Sequence, residues 1–207
     1  MPRTTDRTAP AKSGGGKTLF IVAALAVAVR AHDGLLPRRG WAVAAAAADP
    51  DLTRIAHLAL ARHLPGAQVT ATDASPTALA TAQANAQRLG LNVRGLLGSW
   101  FTPLNGERFD LVVSNPPYIC EGDPHLSALT HEPISALTAG PDGLADLRTL
   151  CAEAPAHLVP GGWLVLEHGW DQAAAVASLM RDAGLADVGH RRDLGGVLRC
   201  TAGKLPV

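Results

Sequence analysis

From about Leu52 onward, short apolar runs alternate with helical periodicities in the manner of repeated βαβ units. Gln68–Asp73 is a short β-rich run that ends in an acid. Ser75-Pro76 then supplies an N-cap followed by proline at the first helical position, which predicts a helix running to Leu89 with Gly90 as its stop. Leu91–Leu97 reads as a second short strand, and Phe109–Ser114 as an apolar strand leading straight into Asn115-Pro116-Pro117-Tyr118. Farther on, Asp142–Leu158 is expected to be helical, with Pro155 kinking or ending it. Pro160-Gly161-Gly162 is expected to turn the chain into a buried strand over Trp163–Glu167. Gln172–Ala183 reads as a helix stopped by Gly184, and two weaker strands follow near Ala186–His190 and Val197–Thr201. Such a pattern folds as a doubly wound α/β sheet. Ligands of these sheets bind at the carboxyl ends of the strands, where Asp73, Asn115 and Glu167 all fall.

The chain ahead of this pattern has a different texture. Residues 1–18 are rich in Thr, Pro, Gly and Lys and are expected to be disordered. Residues 19–50 hold an apolar run at Leu19–Val29, an Arg pair and an Ala run, without caps or periodicity. Two zones are therefore expected: an atypical N-terminal segment over 1–50 and a catalytic domain over 51–207. The apolar run follows Lys12 and Lys17 but is too short to span a bilayer, and no small-residue cleavage pattern follows, so a cytoplasmic protein with no membrane partner is expected. Gly14-Gly15-Gly16-Lys17-Thr18 resembles a phosphate-binding loop only in part. Ala11 stands where the first glycine belongs and no strand precedes it, so it reads as flexible tail.

Composition narrows the function. Lys plus Arg (18) balance Asp plus Glu (18), and a chain with no basic excess is not expected to bind nucleic acid stably through bulk electrostatics. Cys120, Cys151 and Cys200 form no CxxC pair and read as free thiols. The eight histidines show no HExxH-like spacing, and no metal is assigned.

The string Ser114-Asn115-Pro116-Pro117-Tyr118 carries the chemistry. Two prolines in succession force an extended backbone and remove two amide donors. Carbonyl oxygens can then face outward as acceptors beside the Asn115 side-chain oxygen. An NH2 group conjugated to a carbonyl or ring is a poor nucleophile, because its lone pair is delocalised. Fixed oxygens that accept its hydrogens orient the nitrogen and favour positive charge developing on it. Tyr118 offers a flat face for a planar group. Asp73, at a strand end, is placed to accept the hydroxyls of a ribose, and an aromatic of Ser99-Trp100-Phe101 to pack on an adenine ring.

Residues 58–203 resemble the peptide chain release factor glutamine N5-methyltransferases, the HemK/PrmC family. The resemblance lies in Val69-Thr70-Ala71-Thr72-Asp73, Gly98-Ser99-Trp100-Phe101, Asn115-Pro116-Pro117-Tyr118-Ile119, Glu132-Pro133-Ile134-Ser135-Ala136-Leu137, Asp142-Gly143-Leu144 and Leu166-Glu167-His168-Gly169-Trp170. It implies a class I S-adenosylmethionine-dependent methyltransferase with a mixed, mostly parallel seven-stranded sheet. It further implies that Asp73 binds the cofactor ribose, Trp100 lies beside its adenine, and Asn115 touches cofactor and substrate. Asn115, Pro116, Pro117 and Tyr118 would hold the glutamine amide of the Gly-Gly-Gln loop of release factors, with direct in-line methyl transfer.

The chain departs from the family pattern in places. The glycine-rich loop expected about twenty residues before Asp73 falls on Pro50–Arg54, which holds no glycine. Ala42–Ala48 is a poor match to the first strand, Ser99 stands where an acid is usual, and 1–50 shows no counterpart of the family's helical domain. An altered reading frame upstream of Leu58 accounts for so abrupt a change better than decay does. Two other functions compete with the first: a nucleic-acid amino (adenine N6 or ribosomal RNA) methyltransferase, and a family remnant unable to hold the cofactor.

Overall fold

The computed structural model describes residues 42–47, 58, 61–62, 67–124, 126, 134–193 and 195–207. The expected N-terminal tail, the Leu19–Val29 run, the Gly14–Lys17 string and the position of the glycine-rich loop lie outside the described residues, as do Glu132 and Pro133 of the family strings.

Seven strands form one sheet in the order β3-β2-β1-β4-β5-β7-β6. They are β1 (Ala42–Ala47), β2 (Gln68–Asp73), β3 (Val93–Leu97), β4 (Phe109–Asn115), β5 (Leu158–Glu167), β6 (Ala186–Arg192) and β7 (Leu198–Lys204). The first five in that order run parallel, while β7 is antiparallel to β5 and to β6. The helices are α1 (Pro76–Arg88), α2 (Ala145–Glu153) and α3 (Ala173–Asp182). This is the mixed, mostly parallel seven-stranded arrangement that the resemblance implies. Successive residues of β4 point to opposite faces, and both faces are buried. Val112 joins Leu164, Leu166, Leu147, Leu150, Val176 and Met180 on one side, and Leu111 and Val113 join Val69 and Val165 on the other.

The signals in α1 work as expected. The Ser75 hydroxyl accepts from Ala78 N at 3.2 Å, Pro76 opens the helix, and Gly90 leaves it at φ +65°. Three expectations need correction. The alanine-rich segment 42–47 is a strand, and a central one, in register with β2 (Ala42 opposite Gln68) and with β4 (Ala47 opposite Asn115). Each neighbour offers β1 an edge of backbone donors and acceptors that must be paired, and that demand outweighs the weak strand preference of alanine. Pro160-Gly161-Gly162 does not end a loop but lies inside β5, where pairing with β4 jumps from Phe109–Leu158 to Leu111–Trp163. Gly161 takes φ +82° in this bulge, and a Cβ on Gly162 would stand 2.9 Å from Val159 O and 3.0 Å from Phe109 O. Finally, α2 is shorter than expected. Gly143 at φ +69° turns the chain before it, and the α-helix gives way after Glu153 to a 3-10 turn containing Pro155, which has no N–H to continue it.

Candidate active site

The carboxyl edge of the sheet gathers the buried polar groups Thr72, Asp73, Ser114, Glu167 and His168. Along this edge Trp100 follows β3, Asp73 ends β2, Asn115 ends β4, and Glu167 ends β5. The structure thus brings the sequence-predicted residues to one rim. β1 runs between Asp73 and Asn115, so their backbones stand two strand spacings, about 9.5 Å, apart.

Asp73 is held locally. Its Oδ1 accepts Ser75 N at 2.7 Å, and its carbonyl accepts Gly98 N at 3.0 Å, which links the ends of β2 and β3. Trp100 sits just beyond, in a left-handed conformation (φ +48°), half-buried against the α2 side of the core. The Asp146 carboxyl has its pKa raised by burial, against an opposing hydrogen bond from the Trp100 side chain.

Asn115 differs. Its Oδ1 is buried and accepts no hydrogen bond among the described residues. Leaving a buried acceptor unpaired costs about 1–3 kcal/mol, so an incoming N–H donor would be welcomed there. Pro116 and Pro117 are buried and have no N–H to offer. The loop is therefore secured beyond them. Tyr118 is half-buried against the core, and its carbonyl accepts from Gln172 Nε2 at 3.0 Å. Ile119 N donates to Leu137 O at 2.9 Å, and Ala139 N to Ile119 O at 3.0 Å. Gly143 also backs the loop, because a Cβ there would collide with Tyr118 O.

The end of β5 carries a polar chain. His168 is fully buried, with Nδ1 2.8 Å from Gly169 O and Nε2 2.8 Å from Thr201 Oγ1, which is 2.9 Å from His190 Nδ1. A carbonyl only accepts, so His168 Nδ1 bears the proton and Nε2 accepts from the Thr201 hydroxyl, whose oxygen accepts in turn from His190. Burial lowers the His168 pKa and keeps it neutral. Cys200, opposite Glu167 in the pairing, has its thiol pushed up to about 12, chiefly by burial. Sequence reasoning placed Gly143, Glu167 and His168 inside family strings without roles, and missed Gln172 and Thr201. Their bonds to Tyr118, Gly143 and His168 join residues 29 to 54 positions apart, and no local pattern announces them.

Comparison with known proteins narrows the reading. The methyltransferase small domain matches residues 55–140. Release factor glutamine methyltransferase from Xylella fastidiosa (strain Temecula1) is 57% identical over 152 residues, covering 72% of this chain and 55% of that protein. The protein of the same description from Bordetella pertussis is 53% identical over 144 residues, covering 68% and 53%. The matched segment is thus similar to release factor glutamine methyltransferases over most of the described residues. The chain spans about half the length of these release factor glutamine methyltransferases. In fold it is similar to a 16S rRNA methyltransferase from T. thermophilus in complex with AdoMet and guanosine, at TM-score 0.64 and 19% identity, covering 96% of this chain and 45% of that one. A methyltransferase from Pyrococcus furiosus gives TM-score 0.61 at 18% identity, covering 90% and 83%. At such identities these structures speak to fold alone.

Proposed function

We propose that the chain transfers a methyl group from S-adenosylmethionine to the side-chain amide nitrogen of the glutamine in the Gly-Gly-Gln motif of translation release factors. The observation that carries this reading is the buried Asn115 Oδ1 at the end of β4, without a partner among the described residues and followed by two prolines. An acceptor so placed calls for a donor, and a primary amide brings two hydrogens. We assign one to Asn115 Oδ1 and the other to a carbonyl of the Pro116-Pro117 backbone, with Tyr118 against the amide plane. Holding both hydrogens fixes the nitrogen's direction before reaction and favours the positive charge it develops, and its spare proton then passes to water.

The described residues fit the cofactor's nucleoside half. Asp73 would take the ribose hydroxyls, Trp100 would lie beside the adenine, and Asn115 would reach the cofactor from the far side of β1. When bound, S-adenosylmethionine supplies a methyl on a sulfonium sulfur. The catalytic unit proposed over 51–207 needs β1 as well, because that strand joins β2 to β4. Translation termination is cytoplasmic, and the reaction is placed there.

Incubating the 207-residue chain with methyl-labelled cofactor, release factor and RNA or DNA tests this reading. Label is expected in the release factor. Label in nucleic acid alone would transfer the assignment to the amino-methyltransferase reading, and no binding of cofactor by calorimetry would make the chain a non-catalytic family member.

A further inference from the structure

We propose that Gln172 is a positioning residue that fixes the Asn115–Tyr118 loop for its substrate by tying three loops together through one side-chain amide. Its Nε2 donates both hydrogens, to Tyr118 O at 3.0 Å and to Gly143 O at 3.2 Å, while its Oε1 accepts Gly169 N at 2.8 Å. The three partners belong to the loops after β4, before α2 and after β5. They also fix which end of the amide is which, since two carbonyls require the nitrogen and one N–H requires the oxygen. The main chain closes the arrangement, with Gln172 N donating to Gly169 O at 3.1 Å.

Gln172 occupies the N-cap of α3 yet makes no side-chain capping bond. Ser, Thr, Asp or Asn at this place would serve the helix; the longer glutamine serves the loops instead. Such an anchor matters here because Pro116 and Pro117 cannot hold the loop through their own amides. Tyr118 O is the first carbonyl beyond them seen to be gripped, three residues from the Asn115 acceptor. The side chain is only 8% exposed, so water does not readily replace it.

The kinetic part of this inference rests on the proposed transfer to a glutamine amide; the clamp itself rests on geometry. Two variants of the full chain test both. Gln172→Met keeps the bulk and removes the hydrogen bonds. Gln172→Glu sets a carboxylate against two carbonyl oxygens. Hydrogen exchange by mass spectrometry is expected to quicken over residues 118–121, 143–145 and at Gly169, and to stay unchanged in β2 and α1. In the same variants kcat for release factor is expected to fall about 10- to 100-fold, as for a displaced reactant, while calorimetric affinity for S-adenosylmethionine holds. If Gln172→Glu fails to fold, Gln172→Met carries the test. Unchanged exchange in the folded variants overturns the clamp, and faster exchange with unaltered kcat overturns the positioning role. A wild-type chain that methylates no glutamine defeats the substrate assignment separately, and the exchange result then still decides whether the clamp exists.

Discussion

The ends of β2 and β4 lie on the same rim, one strand apart, and are built on opposite plans. At the end of β2, Asp73 is satisfied at short range: Ser75 N, two residues on, binds its carboxylate, and the next strand's Gly98 N binds its carbonyl. At the end of β4, the Asn115 oxygen is buried without a partner among the described residues, and the loop behind it is gripped by Gln172 from 54 residues beyond Tyr118. On the proposed function, the first plan offers a rigid carboxylate to the cofactor's ribose, a part of the cofactor that the reaction leaves unaltered. The second keeps an acceptor in reserve, at a cost in stability, and on the proposed function that acceptor meets the amide that reacts.

The contrast can be broken from its β4 side first. Asn115→Ala is expected to lower turnover on release factor by about 100- to 1,000-fold, as when one preorganised polar group is removed from a reacting centre, with little loss in melting temperature. Turnover near wild type would remove Asn115 from the site. Gly143→Ala comes next. Its left-handed backbone (φ +69°) would cost an L-residue about 1–3 kcal/mol, and the new methyl meets Tyr118 O. Urea denaturation should show at least that loss, together with a fall in kcat. The β2 side should respond in another currency. Asp73→Ala is expected to weaken S-adenosylmethionine binding about tenfold, the loss of roughly one charge-assisted hydrogen bond, and to leave KM for the release factor alone. Equal damage to both substrates would erase the division between the two ends.

The smallest effect concerns pH. Burial lowers the His168 pKa from its ordinary 6.5, so the folded chain binds fewer protons there than the unfolded one. Its contribution is fully present above pH 6.5 and is lost as pH falls from 6.5 through the lowered folded value. Urea titrations at several pH values should show this slope, at most about 1.4 kcal/mol per pH unit, and His168→Leu should flatten it.

The same division between near and far explains what could be read from the sequence. Ser75, Pro76 and Gly90 announce α1 because each acts within a few residues of itself, and the Asp73 position follows from the strand and cap around it. The Phe109–Ser114 run is apolar enough to be a strand buried on both faces. In β1 the alanines say almost nothing, and the strand exists because β2 and β4 each need an edge partner. Pro160-Gly161-Gly162 looks like a turn at short range, but the register between β4 and β5 absorbs it as a bulge. Asn115 was legible through its two prolines, whereas Gln172 was not. Nothing near it in sequence shows that a helix cap has been turned to hold a loop 54 residues away.

The most direct measurement is fragmentation mass spectrometry of a release factor incubated with the chain and S-adenosylmethionine. One added methyl on the side-chain amide nitrogen of the Gly-Gly-Gln glutamine, absent when Asn115→Ala replaces the wild type, is the predicted result. A glutamine left unmodified by the wild-type chain, or a methyl on any other residue, would contradict the account.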